Sequence, residues 1–128
     1  PATLGGRVLV VDDEALVCAS LRRALRRQHK VKVANGGREA REILERDQDF
    51  DLILCDLMMP DVSGMDLFEW LEKTGPDLAK RVVFVTGGAF TPKAAEFLEK
   101  TENPRIDKPF EPDQLRQAVG DLLSLHRS

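Results

Sequence analysis

The chain has 128 residues, enough for one domain with a substantial core and too few for two ordinary ones. Apolar residues make up 42% and charged ones 32%, a globular balance, and a net charge of −3 gives no basis for a nucleic-acid-binding surface. No apolar stretch approaches the roughly 20 residues of a membrane span and no charged-then-apolar leader opens the chain, so neither insertion nor export is expected.

In chain order, a strand-like run, Arg7 to Val11, stops on Asp12-Asp13-Glu14. A helix beginning near Glu14 then carries Val17, Leu21, Ala24 and Leu25 on one stripe, with Arg22, Arg23, Arg26 and Arg27 outside it, a 3.6-residue period. A second strand spans Val31 to Ala34, and a helix opening after Gly36-Gly37 presents Ala40, Ile43 and Leu44. The third strand, Leu52 to Cys55, ends on Asp56; the helix after Gly64 presents Leu67, Phe68 and Leu71. Val82 to Val85 forms a fourth strand ending on Thr86, after which Thr91-Pro92 reads as an N-cap and first helical position leading into Ala94, Phe97 and Leu98. A weaker strand around Arg105 to Asp107 precedes Lys108, and Glu111-Pro112 opens a last helix with Leu115, Val119 and Leu122. Residues 1–6 are expected to be a linker or extension, 7–124 the domain and 125–128 a tail. The missing initiator Met is expected of a segment excised or processed from a longer protein.

Five strand–helix units of this kind argue for a doubly wound α/β sheet with helices on both faces and right-handed crossovers. The pattern alone leaves the strand order open. Of the two common orders, 2-1-3-4-5 suits five strands and sets strands 1 and 3 side by side, where ligands gather beyond the carboxyl ends. Asp12, Asp13 and Asp56 would then share one pocket. Three anions at close range make sense mainly if a hard cation such as Mg²⁺ neutralises them or some stay protonated, which points to a metal-dependent phosphoryl site. The two cysteines, Cys18 and Cys55, have no ligand-like spacing and are expected to be inert thiols of a reduced, cytosolic protein. His29 and His126 lie far in sequence from the acidic cluster, so neither is expected to act there.

Val10-Val11-Asp12-Asp13-Glu14, Asp56-Leu57-Met58-Met59-Pro60-Asp61-Val62-Ser63-Gly64, Thr86-Gly87 and Lys108-Pro109-Phe110 together resemble, in order, the motifs of the receiver domains of two-component response regulators. The resemblance runs from about Arg7 to Leu123 and implies the flavodoxin-like receiver fold. It makes Asp56 the phosphoacceptor, attacking a phosphohistidine on a histidine kinase or histidine phosphotransfer domain to give an aspartyl phosphate. It makes Asp13 a direct Mg²⁺ ligand, Asp12 a ligand through water and the backbone carbonyl of Met58 a further donor, alongside Asp56. Lys108 would pair with one phosphoryl oxygen and Thr86 would donate its hydroxyl to another. Taken singly, Thr86 could merely cap a helix and Lys108 could be a solvated amine; the set of motifs favours the site roles. The resemblance also implies a cis bond before Pro109, against a baseline of about 5–6% for such bonds. Gly64 is expected to supply a positive φ ahead of the third helix, and Pro60 to stiffen the preceding loop. Gly87-Gly88 is expected to leave the loop after Thr86 mobile.

The helix-1 arginines read equally as a solvated face or as a docking surface for a partner's helical bundle. Where receivers carry a switching aromatic three residues before the lysine, this chain has Arg105, and it has no tyrosine at all. A receiver that only relays or drains phosphate needs less of a switch surface. That departure, the missing output domain and the 101–110 segment resemble the terminal receivers of hybrid sensor histidine kinases. A stand-alone single-domain regulator is the alternative, and a phosphate-independent pseudo-receiver acting as a binding module is a further one. A phosphatase of the haloacid dehalogenase type is disfavoured, because its second acid would fall at Met58. The domain is therefore expected to catalyse only its own phosphorylation and slow dephosphorylation, Met58 and Gly88 offering little to position an attacking water.

Overall fold

The computed structural model describes residues 5–87 and 91–127, so Pro1 to Leu4, Gly88 to Phe90 and Ser128 lie outside the described residues, with the expectations that fall on them. The elements are β1(Arg7–Val11), α1(Ala15–Leu25), β2(Lys30–Ala34), α2(Gly37–Arg46), β3(Leu52–Asp56), α3(Gly64–Thr74), α4(Pro76–Ala79), β4(Val82–Thr86), α5(Pro92–Lys100), β5(Arg105–Asp107) and α6(Pro112–Arg127). All strand pairs are parallel and the order is β2-β1-β3-β4-β5, as expected. Strands β3 and β4 are buried at every position, which explains their unbroken apolar runs. The edge strand β2 alternates instead, with Lys30 and Lys32 exposed, and Lys on an edge discourages pairing with another chain.

Side chains alternate across the sheet into two cores. On one face Val8, Val10, Leu52, Leu54, Val83 and Val85 meet Leu21 and Leu25 of α1 and Leu115, Val119 and Leu123 of α6. On the other, Leu9, Ile53 and Phe84 meet Ala40 and Leu44 of α2, Leu67, Phe68 and Leu71 of α3 and Ala94 of α5. Phe68, Phe84 and Phe97 pack edge to face around one another at centroid distances of 5.2–5.6 Å, joining α3, β4 and α5. The expected stripes are therefore the faces that pack, with Cys18 added to that of α1.

The helix ends carry their own signals. Thr91 caps α5 by accepting a hydrogen bond from the Ala94 N–H, with Pro92 in the first turn. Ser63 and Asp66 form a reciprocal capping box at the start of α3. Helix α4 was not foreseen: at four residues it is too short to show a period, although Gly75-Pro76 marks its start and it buries Leu78 and Ala79. Helix α6 runs on to Arg127, through residues 125–127 expected as a tail.

Gly64 differs from expectation. The positive φ in this loop belongs to Asp61, at 65°, whereas Gly64 is needed for close approach: a Cβ there would lie 2.3 Å from the Asp56 carbonyl oxygen. The glycine lets α3 start directly against the backbone that follows β3, and so fixes the depth of the loop at the carboxyl end of the sheet. The peptide bond between Lys108 and Pro109 is cis, as the resemblance implied.

Candidate functional site

Register brings the chemistry together. Val11 pairs with Cys55, Asp56 with Val85 and Thr86 with Asp107, so Asp12, Asp56, Thr86 and Lys108 all fall at the carboxyl rim of four adjacent strands. Asp56, Thr86 and Lys108 border a cleft of about 210 Å³ that is also lined by Asp13, Glu14, Leu57, Met58 and Gly87. Oxygens of Asp12, Asp13 and Asp56 lie within 4.8 Å of one another. Asp12 is 1% and Asp56 7% exposed, while Asp13 is exposed, so the trio slopes from the sheet's interior towards solvent.

Each carboxylate is aimed by its surroundings. One oxygen of Asp12 accepts from the Glu14 N–H at 2.9 Å, an interaction that turns the chain into α1. Its other oxygen accepts from the Lys108 ammonium at 3.0 Å, and the same ammonium lies 3.7 Å from Asp56. Burial pushes the Asp56 carboxyl up to about 6, helped by the negative charge of Asp12 and opposed by Lys108 and the Met58 N–H. Burial works against the Lys108 ammonium, yet the Asp12 hydrogen bond and the Asp56 charge outweigh it and hold its pKa above the ordinary lysine value. A carboxyl with a raised pKa beside a cation fixed in place has a charge state that neighbouring ions control. Three carboxylates with no imidazole or thiol among them form an all-oxygen set, the kind that suits a hard divalent cation.

The sequence-derived set is thus assembled at one rim, with Met58 lining the cleft beside Asp56. Two further residues were not singled out. Glu14 borders the cleft as the last of the acidic run. Asp107 accepts the Thr86 hydroxyl hydrogen bond at 3.2 Å, a pairing that becomes visible only once β4 and β5 are aligned. Beneath the rim, the Cys18 thiol donates to the Asp12 carbonyl and the Cys55 thiol to the Asp56 carbonyl, each at 3.3 Å. Both are buried free thiols; burial, then the nearby Asp12 charge, pushes Cys18 up to about 11, and burial raises Cys55 as well. His29 accepts from the Gly6 N–H ahead of β1, at the opposite end of the sheet. Burial lowers the pKa of His126, near the end of α6, with Arg81 adding to the effect. Arg22 and Arg23 in the last turn of α1, and Arg26 and Arg27 just beyond it, are exposed, and Leu16, just after the acidic run, is 84% exposed.

Comparison with known proteins agrees with this geometry. The response regulator receiver domain family model matches residues 8–120. Response regulator MprA of Mycobacterium leprae is 33% identical over 118 residues, covering 91% of this chain and 50% of that protein. The alginate biosynthesis transcriptional regulatory protein AlgB of Pseudomonas putida is 32% identical over 123 residues, 95% of this chain and 27% of AlgB. A CheY-like response regulator receiver domain protein from Methanospirillum hungatei superposes with a TM-score of 0.83 at 27% identity, over 96% of this chain and 97% of that one. The five-stranded doubly wound sheet is the fold of the receiver domain on which it superposes, and an acidic cluster lies at its carboxyl rim. The chain belongs to the response regulator receiver domain family of two-component systems. It spans half the length or less of these curated relatives. Among the described residues no helix is long and apolar enough to cross a membrane.

Proposed function

We propose that the domain accepts a phosphoryl group on Asp56 from a phosphohistidine of a histidine kinase or phosphotransfer protein. The Asp56 oxygen attacks phosphorus, the P–N bond breaks, and the imidazole leaves with the electron pair and is reprotonated from water. The observation that carries this reading is the meeting of Asp12, Asp13 and Asp56 within 4.8 Å under a lysine 3.0 Å from one carboxylate and 3.7 Å from another. In the proposal Asp13 would hold Mg²⁺ directly and Asp12 through water, with Asp56 and the Met58 carbonyl completing the protein's share. Bound there, Mg²⁺ would neutralise charge on the transferring group. Lys108 would leave Asp12 for a phosphoryl oxygen, and Thr86 would donate its hydroxyl to another. The exposed Leu16, at the start of α1 beside this rim, suits docking of the apolar face of a partner helix, whereas Arg22, Arg23, Arg26 and Arg27 lie towards the opposite end of the sheet.

Within this reading the domain works in the cytoplasm, binds neither nucleic acid nor membrane itself, and reacts only with its own phosphoryl group. The named relatives are response and transcriptional regulators, which supports a place in a response regulator and lends nothing to the hybrid-kinase origin inferred from the 101–110 segment. The test is intact-protein mass spectrometry after incubation with acetyl phosphate. One phosphoryl adduct, present with Mg²⁺ and lost with EDTA or in Asp56→Asn, is expected. No adduct, from acetyl phosphate or from a phosphorylated cognate kinase, would favour the phosphate-independent binding module instead.

A further inference from the structure

The Thr86 hydroxyl is already committed. Thr86 is 2% exposed and lines the cleft, yet its Oγ1 donates to Asp107 Oδ1 at 3.2 Å, and Asp107 is not a wall of that cleft. The bond runs along the register pair Thr86–Asp107, from β4 to the edge strand β5. The same Asp107 oxygen lies 3.8 Å from Nε of Arg105, two residues back on the same face of β5. The side chains of Asp107 and Arg105 are 72% and 50% exposed, so this pair sits at the surface and can be read from outside.

A hydroxyl has one proton to donate. It cannot serve Asp107 and an oxyanion on Asp56 at once, and the Lys108 N–H donating to the Thr86 carbonyl at 2.7 Å leaves side-chain rotation as the simplest way to change acceptor. Resting on the phosphoacceptor reading of Asp56, we propose that Asp107 is a positioning residue that holds the Thr86 hydroxyl out of the cleft, with Arg105 as its counter-ion. Phosphorylation breaks the Thr86–Asp107 bond and leaves Asp107 to Arg105 alone, so the state of the cleft is carried to the β5 edge as a change in an exposed ion pair. Arg105, in place of an aromatic, then has a definite job: it weakens Asp107 as a competing acceptor and takes up its charge on release.

Beryllofluoride with Mg²⁺, a phosphoryl mimic for carboxylates, tests this on the intact chain. Its affinity is measured for wild type, Asp107→Ala, Thr86→Val and the double variant, with the Arg105 Nε–H resonance followed by NMR. A single hydrogen bond is worth enough that Asp107→Ala should bind about three- to tenfold more tightly. That gain should vanish in the Thr86→Val background, whereas simple removal of a negative charge would persist there. The Arg105 Nε–H signal should shift on binding in wild type and not in Thr86→Val. Wild-type binding with an unchanged affinity in Asp107→Ala, or a gain that survives Thr86→Val, overturns the positioning role and leaves the phosphoacceptor reading standing. Absence of binding by folded wild type overturns that reading and the inference with it.

Discussion

Asp56→Asn should make the metal-free protein more stable at neutral pH. Asp56 is 7% exposed, and burial with the adjacent Asp12 charge moves its carboxyl from 3.8 to about 6 in the folded state. Each tenfold change in that equilibrium is worth about 1.4 kcal/mol, so carrying the charge above pH 7 costs the fold about 3 kcal/mol. The folded value is raised, so the native chain binds more protons than the unfolded one between pH 4 and 6, and Asp56 lowers stability as pH rises through that window. Asparagine removes the charge but keeps a buried amide, leaving an expected gain of about 1–3 kcal/mol, or roughly 5–10 °C in Tm for a domain of this size. Urea unfolding of both proteins in EDTA from pH 4 to 8 gives the difference directly. It should be near zero at pH 4, grow to pH 7 and then level off; taking the difference removes carboxyls such as Asp47, whose pKa is lowered chiefly by its Arg7 hydrogen bond. A flat difference across the range, or a less stable variant at pH 7.5, would refute the claim that Asp56 is held in an environment hostile to its charge.

Other outcomes follow from the same rim. Lys108→Ala leaves Asp12, at 1% exposure, without the ammonium 3.0 Å away, and should cost about 1–3 kcal/mol in EDTA, with part recovered on adding Mg²⁺; unfolding curves in the two buffers check this. Gly64→Ala puts a Cβ 2.3 Å from the Asp56 carbonyl oxygen and 2.9 Å from the Leu57 Cα, backbone atoms that cannot swing aside, so a loss of about 2–3 kcal/mol is expected by urea titration. Cys18 and Cys55 should resist an aromatic disulfide reagent at pH 8 and react at once in denaturant, because both thiols are buried and Cys18 is pushed up to about 11.

The extent to which the sequence foretold this arrangement depends on how locally each feature is encoded. Strands β1, β3 and β4 carry unbroken apolar runs, Val8 to Val11, Leu52 to Cys55 and Val82 to Val85, because both faces are covered, and each run stops where the carboxylates or Thr86 begin, so the rim could be read from runs alone. Thr91-Pro92 was legible because a cap and its proline are neighbours in sequence. Gly64 was identified as special for the wrong reason: a glycine that avoids a backbone seven or eight residues away looks the same in sequence as one that supplies a positive φ, and here the φ belongs to Asp61. Asp107 stayed hidden because its meaning depends on the β4–β5 register, which no local pattern in a three-residue edge strand could fix. Arg105 stood out only as a departure from a family pattern; its partner came from geometry.

The central claim is that Asp56 is the nucleophile. Borohydride reduces an aspartyl phosphate to homoserine, so reductive trapping after phosphorylation, followed by peptide mapping, locates the acceptor without relying on a mutant. Homoserine at position 56, dependent on Mg²⁺ and on the phosphodonor, is the predicted result. Conversion at Asp12, Asp13 or elsewhere, or phosphorylation that leaves residue 56 as aspartate, would contradict the account.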